Sequence, residues 1–263
     1  MKRAACVLAL VLPLAAQPKL LVNAQVKTLP AGAGLETAFR ALLAAQPQPA
    51  WIGYSVPSVR TNLGCEYVRD SFTMPGVVHL EPPDHAVILF RVEANAVNRI
   101  RSLSPDCEID AGGLPFYWLT DVQPAQSVAL LLTFVSGRDS DSAVGAIAQH
   151  ADPAADQALD RFLAAGQPKS LRQRTVTLLG STRGRNPAVV ATLLKVIESD
   201  PDTEMKRRAV SALHSLPDGA GIPLLIQLVK TSKDAEVRKQ AMSTLGTSRD
   251  PRATAFFEEI LKR

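Results

Sequence analysis

Asp202-Thr-Glu-Met205-Lys206-Arg-Arg-Ala209-Val210-Ser-Ala-Leu213 and, one period on, Asp234-Ala-Glu-Val237-Arg238-Lys-Gln-Ala241-Met242-Ser-Thr-Leu245-Gly246 are two writings of one pattern. Working outward, Val144, Val176, Val210 and Met242 make an apolar column, and the residues three further on, Ile147, Leu179, Leu213 and Leu245, make another. The steps are about 32, 34 and 32 residues. A second set repeats as well: Leu159, Leu193, Leu225 and Phe257, then Phe162, Val196, Leu228 and Ile260, then Leu163, Ile197, Val229 and Leu261. Each unit between Asp139 and Arg263 therefore holds two apolar faces.

Within each half of a unit the spacing is helical. Val190, Leu193, Leu194 and Ile197 fall at i, i+3, i+4 and i+7, a single stripe on an amphipathic helix. Asp152-Pro153, Asn186-Pro187 and Asp250-Pro251 mark helix starts, each a capping side chain before a proline whose missing donor would have had no partner there. Each unit reads as helix, turn, helix, and the two extra residues of the longer step fall to the turn 181–185, where insertion is cheap. One such pair of helices cannot bury both stripes, so neighbours must stack into a solenoid.

The two quoted stretches resemble the short HEAT-like repeat that is also found in phycobilisome lyases, and the likeness covers roughly the last half of the chain. A tetratricopeptide array shares the period, but its Trp and Tyr positions are missing, as is the ankyrin Thr-Pro-Leu-His turn. The resemblance implies a binding scaffold, because the repeat supplies no catalytic residue. In related arrays the second helices line the concave surface. A lyase or chromophore-handling role is implied only by the namesake and does not travel with the fold.

At the other end, Met1-Lys2-Arg3, the apolar run 4–16 and the small residues after it have the order of a secretory signal, and the run is too short to span a bilayer. Val22-Asn23-Ala24 offers a cleavage site before Gln25, with Leu14-Ala15-Ala16 as the competitor. Residues 1–24 are then a leader, 25–122 a β-rich domain with one leading helix, and 123–263 the repeat solenoid. The leader holds Lys2, Arg3 and Lys19 and no acid, so the 29 basic and 25 acidic residues of the chain become 26 and 25 without it. That balance gives no support to a nucleic-acid partner. The expected product is an exported bacterial protein, periplasmic or secreted, not inserted in the membrane after cleavage.

Leu35, Ala38, Phe39, Leu42 and Leu43 predict a helix over about 34–45. Beyond Pro49, β-branched and aromatic runs bounded by Pro and Gly predict strands at 51–56, 77–80, 86–93, 97–103, 107–110 and 116–119, with Glu93-Ala-Asn95-Ala as a hairpin connection. Cys65 and Cys107 remain after leader removal and are expected to pair in an oxidising compartment. Val128, Leu131, Leu132 and Val135 predict a helix like the second half of a missing repeat, placed to close the stack. The fold class is α+β, a small β-rich domain followed by a short α-solenoid of about four HEAT-like hairpins.

Reactive constellations are few. His79 and His85, with Asp84 and Cys65 or Cys107, fit no zinc spacing, and no metal or cofactor is expected. Gly180-Ser181-Thr-Arg-Gly184 lacks the lysine of a phosphate loop and the glycine spacing of a nucleophile elbow, and reads as a turn. No catalytic residue is assigned. The competing reading is a hydrolase-like envelope enzyme with its site in the β domain, where His79 or His85 would meet a carboxylate in a pocket. For a protein partner, two polar columns stand out. Arg172, Lys206 and Arg238 recur on the first helices and could form a ladder that grips acidic segments, while Asp202 and Asp234, four residues ahead of Lys206 and Arg238, would pair with them inside each helix. Arg161, Lys195, Gln227 and Glu259 form a column on the second helices, the surface where a partner is expected to dock.

Overall fold

The computed structural model describes residues 21–32, 34–60, 63, 65 and 84–262. The expected strand at 77–80, His79 and the first 20 residues of the expected leader lie outside them. The described residues open with two strands absent from the expectations above, β1 (Leu21–Val22) and β2 (Gln25–Pro30). There follow α1 (Leu35–Ala44), β3 (Ala50–Pro57), β4 (His85–Glu93), β5 (Ala96–Leu103), β6 (Ile109–Asp110) and β7 (Pro115–Thr120). Strands β2, β7, β3, β4 and β5 lie side by side in that order, and β1 pairs separately with β6. β2 and β3 run parallel to β7 between them, whereas β3, β4 and β5 are antiparallel neighbours. Ala94 and Asn95 take φ of 50° and 58° in the two-residue turn between β4 and β5. Positive φ at both positions gives the twist that a tight hairpin requires.

Side chains alternate across a strand, so this sheet has two faces, and both are covered. Ile52, Tyr54 and Val56 of β3 and Ile88, Phe90 and Val92 of β4 share one continuous core with α1 and the helices that follow. Val87, Leu89, Phe116 and Trp118 face the other way, under Leu103, Cys107, Ile109 and Ala111. Each large apolar side chain buried like this contributes about 1.5–3 kcal/mol. Cys65 and Cys107 form the expected disulfide, their Cα atoms 5.6 Å apart across a sequence separation of 42, and so tie down this second cover.

The helices come next: α2 (Pro124–Leu132), then α3 (Ser140–Gln149) with α4 (Pro153–Leu163), α5 (Lys169–Thr182) with α6 (Pro187–Ser199), α7 (Thr203–His214) with α8 (Gly221–Thr231), and α9 (Ala235–Gly246) with α10 (Pro251–Leu261). Ile147, Leu179, Leu213 and Leu245 are 0, 4, 0 and 1% exposed, so the repeating column is the interior of the stack. Asp152, Asn186, Asp202, Asp234 and Asp250 each accept a hydrogen bond from a first-turn backbone N–H. First helices α5 and α7 touch backbone to backbone: a Cβ on Gly180 would lie 2.3 Å from the carbonyl oxygen of Ala212. α2 buries Val128, Leu130 and Leu131 against this stack and the sheet.

One local expectation changes. The two extra residues lengthen α5, so that Gly180 to Thr182 form its last turn and the connection to α6 starts only at Arg183. The cause is Arg183 itself. Its backbone N–H donates to Leu178 and Leu179, and its side chain turns inward to an acceptor set described below.

Candidate functional site

Sheet and stack meet along a short seam. Val59 N–H donates to the Gln149 carbonyl at 2.8 Å and Ala151 N–H to that of Pro57 at 2.9 Å, with Ser58 opposite His150 as an antiparallel bridge. Beneath it lie three polar side chains with no exposed surface, Tyr54, Ser127 and His150. His150 Nδ1 is 2.8 Å from the Ala146 carbonyl and Nε2 is 2.7 Å from Ser127 Oγ, which lies 2.8 Å from the Tyr54 hydroxyl. A carbonyl can only accept, so the imidazole proton sits on Nδ1, Ser127 donates to Nε2, and Tyr54 donates to Ser127. Burial draws the His150 pKa down to about 4 and pushes the Tyr54 phenol up, keeping the chain of three neutral.

Among the described residues, Ser127 and His150 are the nearest approach to a nucleophile and its base. Sequence reasoning missed the pair because Ser127 lies on α2 and His150 just beyond the end of α3, with no motif spacing between them. Its surroundings are those of a packing node: a carbonyl rather than a carboxylate orients the imidazole, and substrate has no access to an oxygen with no exposed surface. Arg183 completes the node, donating from Nη1 to the carbonyls of Ala148 at 3.1 Å and His150 at 2.9 Å and pairing through Nη2 with Asp156. The end of α3 is thereby capped from the next repeat.

The ladder of Arg172, Lys206 and Arg238 turns out to be built into the stack. Arg172 is 8% exposed, pairs through Nη2 with Asp200 and donates from Nε to the Leu163 carbonyl at 3.1 Å. Lys206 Nζ lies 2.9 Å from Asp234, and Lys169 Nζ lies 2.8 Å from Asp202. Cations of one first helix thus hold the aspartates at the start of the next, in place of the expected pairs inside each helix. Asp202 and Asp234 each use Oδ1 to cap their own helix and Oδ2 for the cation of the preceding repeat. Those lysine bonds hold both carboxyls below the usual carboxylate range. Arg238 is half-buried and donates to the Ser232 carbonyl at 2.8 Å.

The second-helix column has a different setting. Arg161 on α4, Lys195 on α6, Gln227 on α8 and Glu259 on α10 are all exposed. Arg161 donates back to the Gln157 carbonyl at 3.2 Å, and Glu259 lies 3.6 Å from Lys230 of the neighbouring second helix. Beside them Val190, Leu194, Leu224 and Leu228 are only half-buried.

His85 does meet a carboxylate: Nδ1 lies 2.6 Å from Asp84 Oδ1, a bond that holds the Asp84 carboxyl below its ordinary range. The pair stands on the surface, with side chains 40% and 82% exposed. Two surface hollows, of about 280 and 270 Å³, lie elsewhere. The larger is lined by Glu204, Arg207, Arg208, Ser211 and Gln240 along the first helices, the smaller by Arg60, Gly180, Ser181, Thr182, Gly184 and Arg185 at the end of α5. Among the described residues no cluster of His, Cys, Asp or Glu could hold a metal ion, and no helix is long and apolar enough to cross a membrane.

Residues 190–263 match the HEAT repeats family, so the stack is HEAT-like over the span from α6 to α10. No curated protein matches the chain.

Proposed function

We propose that this protein is a non-catalytic scaffold of the cell envelope that binds a protein partner on the solenoid surface, with Arg161, Lys195, Gln227 and Glu259 among its contacts. The observation that carries this reading is the contrast between the two polar columns. One is consumed in holding repeats together; the other is exposed beside half-buried apolar residues. HEAT repeats generally mediate protein–protein interaction, and a surface fixed by backbone-to-backbone helix contacts loses little entropy on binding.

The Cys65–Cys107 disulfide supports an oxidising compartment and hence export. Residues Leu21 to Ala24 support a leader that ends at Ala16 rather than at Ala24. The Ala111 and Gly113 amides donate to the Val22 and Asn23 carbonyls at 3.1 and 2.7 Å, bonds that cleavage after Ala24 would remove along with β1.

The test is affinity capture from an envelope extract with the wild-type chain and with Arg161→Glu combined with Lys195→Glu. The double variant is expected to unfold at an unchanged temperature and to retain less of the captured protein. Equal capture by both would remove this surface from consideration.

A further inference from the structure

The outward stripe of first helices α5, α7 and α9 carries Arg174, Arg207, Arg208 and Lys239 against only Glu204 and Glu236. At its centre is the hollow of about 280 Å³. There a single carboxylate serves two guanidiniums: Glu204 lies 3.7 Å from Arg207 and 3.2 Å from Arg208, whose side chains are 49% and 43% exposed. One positive charge is left over. A hydrogen-bond chain fixes the floor, with Arg207 Nε donating to Gln240 Oε1 at 3.2 Å and Gln240 Nε2 donating to Ser211 Oγ at 3.1 Å. The rest of the stripe is small and hydroxylated: Thr177, Ser211 and Ser243 stand in one column across the three helices. Such a surface offers hydrogen bonds without bulk.

We infer that this hollow is a second binding site, one that takes a carboxylate side chain of an extended acidic peptide segment lying across the first helices. Arg208 can give a planar, two-pronged hydrogen bond to an incoming carboxylate while Arg207 stays anchored on Gln240. The hydroxyl column serves the peptide backbone on either side. With Glu204 already paired to both guanidiniums, the one positive charge left over suits a single carboxylate better than a run of phosphates. The site is separate from the second-helix column, so either can fail without the other.

The test uses fluorescence anisotropy with the full chain and a labelled peptide of about ten residues, enough at about 3.3 Å per residue to cross two interhelix spacings of about 10 Å. A Glu/Gly peptide is compared with a Gln/Gly peptide of the same spacing and with a single-stranded oligothymidine. The Glu/Gly peptide is expected to bind, more weakly as salt rises, and Arg207→Ala with Arg208→Ala to weaken it by about tenfold or more. Glu204→Gln is expected to tighten it. Arg161→Glu with Lys195→Glu is expected to leave it unchanged. Equal affinity for the Glu/Gly and Gln/Gly peptides, tighter binding of the oligonucleotide, or indifference to the Arg207 and Arg208 substitutions would each overturn the inference.

Discussion

At the scale of single residues, His150 sets a pH dependence whose direction is fixed by its surroundings. Its folded pKa of about 4 lies below the ordinary value of 6.5, because burial disfavours the charged form. The stability that depends on a neutral imidazole is whole above pH 6.5 and is lost as pH falls from there through 4, by about 3 kcal/mol in all. Urea unfolding at pH 7 and pH 5 should show the midpoint falling, and His150→Gln should flatten most of that difference. Arg172 makes a second residue-scale case. Asp200→Ala leaves a buried guanidinium without its carboxylate, which is expected to cost about 3–5 kcal/mol in chemical denaturation, whereas Lys206→Met, at a more open pair, costs about 1 kcal/mol or less. The period identified Arg172, Lys206 and Arg238 as equivalent positions. It could not say that Arg172 and Lys206 would pair with Asp200 and Asp234 while Arg238 turned to the Ser232 carbonyl, since periodicity relates a residue to its copies and not to its neighbours.

Among the elements, the helices were legible and two of the strands were not. Each repeat helix announces itself through a buried stripe, and α4, α6, α7, α9 and α10 also through a capping aspartate or asparagine, signals that are local in the chain. β2 has all six residues exposed, so no buried face imposes alternation on its sequence, and β1 is a two-residue pairing whose partner lies 88 residues away. Long-range pairing of so short a segment leaves no imprint that a window of sequence can carry. The proposed leader is where this matters in practice. On the proposal that the protein is exported, N-terminal sequencing of the mature product is expected to begin at Gln17, upstream of Leu21; a start at Gln25 would mean that the mature fold does without β1.

For the molecule as a whole, one apolar core runs from Leu35 and Phe39 through the sheet and α2 to Ala253 and Phe256. Sheet and stack should therefore melt together, as a single transition in scanning calorimetry. Leu213→Ala, in the middle of that core, is expected to lower the whole transition by about 2–5 kcal/mol rather than split off a second one. The stacking of the repeats and the closure by α2 could be read in advance, because both follow from apolar faces needing cover. The seam between β3 and the α3–α4 connection could not, because backbone bonds leave no residue preference behind.

That seam governs how the protein can be taken apart. A fragment carrying the helices alone would start with α2 stripped of α1 and β3, and would leave the Gln149 carbonyl and Ala151 amide to water in exchange for Val59 and Pro57. Its companion piece would bare Phe39 of α1 and Phe90 of the sheet where Phe134 packs on them. Scissors applied at this border yield two adhesive halves, so the sheet is the lid without which the superhelix cannot be handled on its own.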